Sequence, residues 1–155
     1  MNELQDWLND VHHWYQNRNS TPVTELQPLI FNVPPQLWGS PLDATQSKAI
    51  ACWLDACLRQ ILSFNALANG SQALQYLNLA YSRFQFCVAQ SGGDLALKSW
   101  CMRRMQQLMV LSLEHLNQQT DGEALSHELL EAHVKFMAFH AWNDDQGVTY
   151  RTPEQ

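Results

Sequence analysis

A chain of 155 residues is long enough for one domain that buries a sizeable core without a metal ion or a disulfide. Charged residues make up only 15% of it, and its formal net charge is −6. Because phosphate binding depends on clustered lysine and arginine, this balance argues against nucleic-acid binding. No apolar run reaches the length of a membrane span, and the acidic amino terminus lacks the apolar core of a secretion signal. We therefore expect a cytoplasmic protein with no membrane segment.

The chain opens with an amphipathic pattern over residues 3–17, which predicts a short amino-terminal α-helix. Its apolar face shares helical spacing: Leu4, Trp7, Leu8, Val11, Trp14 and Tyr15. His12 and His13 adjoin the aromatic end of this face. Histidines in such a setting can titrate near neutral pH or contact a ligand, but half-exposed positions on an amphipathic helix are their commoner use.

Five of the six prolines lie in the next stretch, between residues 20 and 41. Proline lacks an N–H and biases its predecessor away from the helical region, so we predict extended or turning chain over 20–39. The stretch nevertheless carries many apolar side chains, whereas a disordered linker would be polar. We therefore expect an ordered proline-rich arm that buries Phe31 and Trp38 against the helices. The alternative is an arm that serves as a binding surface.

Short glycine-containing breaks divide residues 40–142 into four long predicted helices. The connections are too short for anything but neighbouring, oppositely directed helices, so we predict an all-α fold with an antiparallel four-helix bundle. A solenoid of stacked helix pairs is the alternative. The string from Ala73 to Tyr81 resembles part of a tetratricopeptide repeat, but it has no second copy at the spacing of that repeat, which favours the bundle.

Capping residues predict where these helices begin and end. The signals are a start at Ser40 and Pro41, a stop at Asn69 and Gly70, a start at Asp94, and a capping box of Thr120 with Glu123. The last helix is expected to end near Trp142, which leaves 143–155 as a mobile polar tail. One helical domain then covers 1–142, with the amino-terminal helix and arm in 1–39 and the bundle in 40–142.

Candidate metal ligands occur together on the last predicted helix. His127 and Glu131 are four residues apart, hence one helical turn, and Glu114 on the preceding helix is a third candidate. The zinc-protease motif requires two histidines at this spacing, which the stretch lacks. Solvated side chains on an acidic helix face are the commoner explanation, so we expect no metal and no cofactor.

Other catalytic signals are weak. The four cysteines share apolar helical surroundings, typical of buried free thiols in a cytosolic protein: Cys52, Cys57, Cys87 and Cys101. No serine lies in a glycine-flanked elbow, and Gly92-Gly93 is too short to cradle a phosphate. The sequence favours a non-enzymatic protein, and a metal-binding bundle or enzyme that uses His127 and Glu131 is the alternative.

The scarcity of charge suggests that a partner covers some outer helix faces. The predicted helix over 71–90 has Arg83 as its only charged residue and carries two apolar stripes, so we expect a homodimer of two-fold symmetry. We predict a protein-binding regulator, adaptor or chaperone of one protein partner, whose identity and pathway the sequence leaves open. The candidate partner-binding residues are Phe31, Trp38, Tyr76, Tyr81, Arg83, Arg103 and Arg104.

A weaker alternative is a regulator that binds nucleic acid through the middle of the chain. Residues 58–113 hold five basic side chains against Asp94 as the one acidic residue before Glu114. The basic residues are Arg59, Arg83, Lys98, Arg103 and Arg104. A modest basic stretch in an acidic protein is weak ground for nucleic-acid binding, and steep salt dependence would be its signature.

Overall fold

The computed structural model describes residues 3–38, 42–90, 94–119 and 121–151, with side chains as far as Ala141. Every regular element in these ranges is helical and none is a strand, so the all-α prediction is confirmed. The α-helices are α1 Glu3–Gln16, α2 Gln27–Phe31, α3 Ala44–Ala66, α4 Gly70–Gln90, α5 Leu95–Asn117 and α6 Gly122–Arg151. Two 3-10 turns, Val23–Leu26 and Pro35–Trp38, flank α2.

The chain forms two compact units, 1–104 and 105–155. The first contains α1 to α4 and the amino-terminal part of α5, and the second contains the rest of α5 and α6. From the sequence we expected one helical domain over 1–142. The first unit contains the clefts described below.

Helix α3 is the centre of the first unit, because it packs against α1, α2, both 3-10 turns and α4. Trp53, which is 1% exposed, lies at the middle of its buried face. Its ring meets Trp38 edge-on at 4.8 Å between centroids and Phe84 at 6.1 Å, and Phe84 also contacts Trp100 at 6.1 Å. Such aromatic contacts each add about 0.5–1.5 kcal/mol beyond area burial.

The proline-rich segment consists of two 3-10 turns and the short helix α2, so the prediction of extended or turning chain over 20–39 is wrong for Gln27–Phe31. Two of its prolines occupy first turns, where a missing N–H breaks no hydrogen bond. Pro28 lies at the start of α2, and Pro35 begins the second 3-10 turn. Proline therefore positions these helical turns instead of preventing them.

The same segment buries a different set of side chains from the one we expected. Leu26 and Leu37 are fully buried, and Ile30 is 3% exposed. Phe31 is 62% exposed, so its expected burial is wrong, and Trp38 is half-buried. Phe31 follows the buried Ile30 in a helical turn, and adjacent helical residues point about 100° apart, which directs the phenyl ring outward.

Backbone carbonyls of this segment accept hydrogen bonds from side chains of α1 and α3. The bonds run from Trp7 Nε1 to Leu29 O at 2.9 Å, from Trp53 Nε1 to Ile30 O at 3.0 Å, and from Gln60 Nε2 to Val23 O at 2.6 Å. Each hydrogen bond contributes about 0.5–1.5 kcal/mol net. The segment is thereby joined to both helices along its length.

Several of the predicted helix ends differ from the structure, among them the start of α3. Helix α3 begins at Ala44, because Asp43 accepts a hydrogen bond from the backbone N–H of Gln46 at 2.7 Å and so is the capping residue. We expected the start at Ser40 and Pro41, which lie outside the described residues. The expected cap of α5 is confirmed: Asp94 accepts from the backbone N–H of a residue three further on, at 3.0 Å.

The break between α3 and α4 also differs from our prediction. We expected Asn69-Gly70 to end α3 in a left-handed conformation, but Ala68 has the positive φ, at 58°. Asn69 caps the next helix instead, since its side chain accepts from the backbone N–H of Gln72 at 3.3 Å. Gly70 is the first residue of α4.

In the second unit, α6 begins with a close backbone approach. A β-carbon at Gly122 would overlap the carbonyl oxygen of Leu116, so only glycine fits there. Helix α6 continues to Arg151, well past the end expected near Trp142. Thr120 of the expected capping box and residues 152–155 of the expected tail lie outside the described residues.

Candidate functional site

The structure brings two of the seven partner-binding candidates into ring contact. Phe31 lies 6.1 Å from Tyr76, which also stacks on Phe64 at 5.8 Å. Trp38 belongs to the aromatic core around Trp53. Tyr81 is half-buried, and burial raises its pKa to about 12, so its hydroxyl stays protonated at neutral pH. Phe31 is therefore the aromatic candidate that offers most of its surface to a partner.

The basic candidates have different surroundings. Arg59 is paired with an acidic neighbour on α3 and lies over two aromatic rings, and Arg104 lies over the ring of Trp100 at 4.2 Å. Lys98 is 7% exposed. Arg83 and Arg103 are exposed. The five cations are thus not equivalent members of one solvated patch, which weakens the case for nucleic-acid binding.

The candidate metal ligands are exposed side chains. His127 and Glu114 are exposed, and Glu131 is paired with Lys135 at 2.9 Å on the surface of α6. Across the described residues, no three histidine, cysteine, aspartate or glutamate side chains are grouped so as to hold a metal ion. An exposed pair of this kind contributes about 0.2–1 kcal/mol and fixes no ligand geometry.

The cysteines are free thiols throughout, as predicted. Cys57, Cys87 and Cys101 are buried. A hydrogen bond from the Cys101 thiol lowers the pKa of Cys87, and the same bond, together with burial, raises the pKa of Cys101. Cys87 also lies 3.6 Å from the carbonyl oxygen of Trp38. These contacts place a pair of neighbouring thiols inside the first unit.

A groove runs along α1 in the first unit. A cleft of about 570 Å³ lies beside the first half of α1, and one of about 660 Å³ lies beside its second half. Both clefts are lined by Asp10, Pro28 and Leu29, so they are continuous. Helix α1 forms one wall of this groove and the proline-rich segment forms the other.

The lower part of the groove is apolar. Trp7 and Trp14 contribute to it from α1, and Pro28 and Leu29 contribute from α2. Each indole N–H donates to a carbonyl of the opposite segment, Trp7 to Leu29 at 2.9 Å and Trp14 to Pro22 at 3.2 Å. The two indoles therefore join the walls and set their separation.

Carboxylates line both ends of the groove. Glu3, Asp6 and Asp10 come from one face of α1, and Glu25 comes from the opposite wall. Within the described residues, no lysine or arginine lines either cleft, and His13 is the only titratable base there. A cleft that is lined by negative charge above an apolar base attracts cationic ligands.

Sequence reasoning missed this groove. The acidic residues of α1 follow helical spacing, which we interpreted as a solvated face opposite the apolar one. The sequence did contain a signal for the groove, because spacings of three and four residues place side chains on the same side of a helix. The residues that share this side of α1 are Glu3, Asp6, Trp7, Asp10 and Trp14. The second wall is absent from any local pattern, because it comes from residues up to 22 positions away.

Comparisons of this chain with known proteins identify no relative. No protein-family model matches the sequence, and no curated protein or solved structure is significantly similar to it. Among the described helices, none is both long enough and apolar enough to cross a lipid bilayer. The geometry of the first unit is therefore the ground on which a function can be assigned.

Proposed function

We propose that the protein is a non-enzymatic, protein-binding regulator, adaptor or chaperone, and that its groove along α1 holds an extended basic segment of one protein partner. The observation that carries this proposal is the continuous groove with an apolar base and carboxylates at both ends. We also propose a cytoplasmic location, which the free thiols of all four cysteines support.

The length of the groove fits a short peptide. Its lining on α1 extends from Glu3 to Asn17, which at 1.5 Å per residue corresponds to about 21 Å. An extended chain advances about 3.3 Å per residue, so about six residues would fill the groove. This is the scale of a linear recognition motif rather than of a folded domain.

The chemistry of the groove defines the residues such a segment would carry. Lysine and arginine place charged groups near carboxylates while their methylene stems pack on apolar surface, here the accessible Pro28 and Leu29 above the buried indoles. Exposed ion pairs give only about 0.2–1 kcal/mol each, so apolar contact would supply most of the affinity. The carboxylates would supply selectivity and fast association, both weakened by salt.

An affinity-capture experiment tests the proposal. Asp6→Asn combined with Asp10→Asn keeps the shape of the groove and removes two charges. The control is Glu128→Gln with Glu131→Gln, which removes two carboxylates from α6. We expect the wild type and the control to retain the same partner from an extract of the native organism, identified by mass spectrometry, and the groove variant to lose it. Equal retention by all three proteins would contradict the groove as the binding site.

As the scaffold of this function we propose the antiparallel bundle of long helices. Its support is the packing of α4 on α3, through the contacts of Trp53 with Phe84 and of Phe64 with Tyr76. The connection between these two helices is short, which favours opposite directions.

Self-association stays a prediction, but its first reason no longer holds. We inferred a homodimer from two apolar stripes on α4, of which we expected one to lack cover. Most members of both stripes are buried in the single chain: Leu77, Phe84 and Val88 in one, where Leu74 and Tyr81 are half-buried, and Tyr76, Ala80 and Cys87 in the other. They occupy one broad face of the helix, so α4 needs no second copy.

A further inference from the structure

A third cleft, of about 410 Å³, lies in the first unit where α1 ends. Trp14 and Thr21 line both this cleft and the groove along α1. The charged side chains that line the third cleft, however, have the opposite sign to those that line the groove. Arg18 and Arg59 line the third cleft, and no carboxylate does so among the described residues.

Arg59 is held in a fixed position. Its Nε donates to Asp55 Oδ2 at 2.8 Å, and its guanidinium lies 5.6 Å from the centre of the Trp14 ring and 4.9 Å from that of Tyr15. The two rings meet edge to face, 5.4 Å apart at 87°. The side chain is still 37% exposed. Because Nε is occupied, the terminal NH₂ groups of the guanidinium are the donors left for a ligand.

Arg18 is brought to the same place by a different contact. Its Nη1 donates to the backbone carbonyl of Tyr15 at 2.7 Å, near the carboxyl-terminal end of α1. Tyr15 therefore has one guanidinium over its ring and another on its carbonyl. Asp55 partners Arg59 but does not line the cleft. The cleft thus presents two cations, each oriented by a hydrogen bond made elsewhere.

The remaining lining completes a site with a polar and an apolar part. Asn19, Thr21 and Ser63 bring an amide and two hydroxyl groups to the cleft. Val23 and Leu62 bring apolar surface, and Leu62 is 69% exposed. The volume lies near the lower limit of small-molecule pockets, which hold about 300–1,000 Å³.

We infer that this cleft binds the oxyanion group, a carboxylate or a phosphate, of a small organic anion whose apolar body lies against Val23 and Leu62. A planar guanidinium donates two parallel hydrogen bonds to either group, which makes paired arginines suited to both. This inference goes beyond partner binding. It depends on Arg18 and Arg59 and needs no occupant in the groove.

Calorimetric titration of the isolated full-length chain tests the inference. Phenyl phosphate and benzoate combine an aromatic body with the two possible oxyanions, and inorganic phosphate presents the oxyanion alone. We expect saturable binding of phenyl phosphate or benzoate at one site, and weaker binding of inorganic phosphate. The stronger of the two aromatic probes identifies the oxyanion.

Charge-neutral variants locate the site. Arg18→Gln and Arg59→Gln should each weaken binding by at least about tenfold, since each removes a charge-assisted hydrogen bond. Arg83→Gln changes the net charge equally at an exposed position on α4 and should leave the affinity unchanged. Circular dichroism checks that Arg59→Gln is folded. If it is not, Arg18→Gln decides the question, because Arg18 is exposed and contacts only a carbonyl near a helix end.

Two results would overturn the inference. One is that neither aromatic probe binds the wild type at millimolar concentration. The other is that Arg83→Gln weakens binding as much as Arg18→Gln, which would mean attraction to positive charge in general. Both results are independent of the affinity-capture experiment, because the titration contains no protein partner.

Discussion

The two units differ in how they place their large apolar side chains. In the first unit, Trp53 is 1% exposed and Phe84 is fully buried. In the second unit, four large side chains of α6 are between 41% and 61% exposed: Leu125, Leu130, Val134 and Phe139. Apolar residues are frequent in both, so composition does not explain the difference. What differs is the number of sides from which each helix is covered.

Helix α3 shows what full cover requires. It is packed by α1, the proline-rich segment and α4, and its buried polar groups find partners among nearby carbonyls. On α6, His133 is buried, and the large exposed side chains lie on both sides of it around the helix. An apolar arc this wide needs neighbours on two sides to be fully buried.

The largest effect is expected from Trp53→Ala in the first unit. Truncation of a fully buried aromatic residue costs about 3–5 kcal/mol of the free energy of unfolding. It also leaves the Ile30 carbonyl without its donor and removes the ring contacts with Trp38 and Phe84. Chemical denaturation followed by circular dichroism measures the loss.

Trp53→Phe is the matched control for that prediction. It keeps an aromatic ring but lacks the N–H that donates to Ile30 O at 3.0 Å. Its free energy of unfolding should fall between that of the wild type and that of Trp53→Ala. A loss below about 1 kcal/mol for Trp53→Ala, the typical effect of any substitution, would contradict the central position of this residue.

A smaller effect is expected from Gly122→Ala in the second unit. The added methyl group would overlap the Leu116 carbonyl oxygen, so the backbone must move. Overpacking of this kind costs about 1–3 kcal/mol. Asp121→Ala, at the exposed neighbouring position, is the control. Denaturation midpoints of the two variants give the comparison, and equal midpoints would show that the close approach is not maintained in solution.

The sequence was informative where structure depends on local signals. The helical period identified α1, and Asp94 gave the start of α5 because its carboxylate caps residues three positions away. It was misleading where two signals compete: Asp43 caps α3 in place of Ser40, and Asn69 caps α4 instead of ending α3. Both errors lie within a few residues of a correctly predicted helix.

The clefts could not be predicted, because each combines residues that are distant in the chain. Arg59 reaches Tyr15 from another helix, and Trp7 meets a carbonyl 22 residues later. Periodicity shows that the acidic residues and the two indoles share one side of α1. It does not identify the wall opposite. That wall is formed by proline-rich chain that we expected to be extended or turning, so helix α2 was missed as well.

The smallest effect is expected on α6, where Leu130→Ser tests whether its exposed face stays in water. Leu130 is 41% exposed, and surface substitutions usually change the free energy of unfolding by no more than about 0.5 kcal/mol. We therefore expect a melting temperature close to that of the wild type at every protein concentration. Light scattering on the same samples gives the molecular mass of the particle, and one chain has a mass of 17.8 kDa. Two results together would contradict this expectation. The melting temperature would rise with protein concentration in the wild type but not in Leu130→Ser, and the molecular mass would be doubled in the wild type alone. They would show that a second copy covers this face, which is the homodimer expected from the sequence, formed through α6 instead of α4.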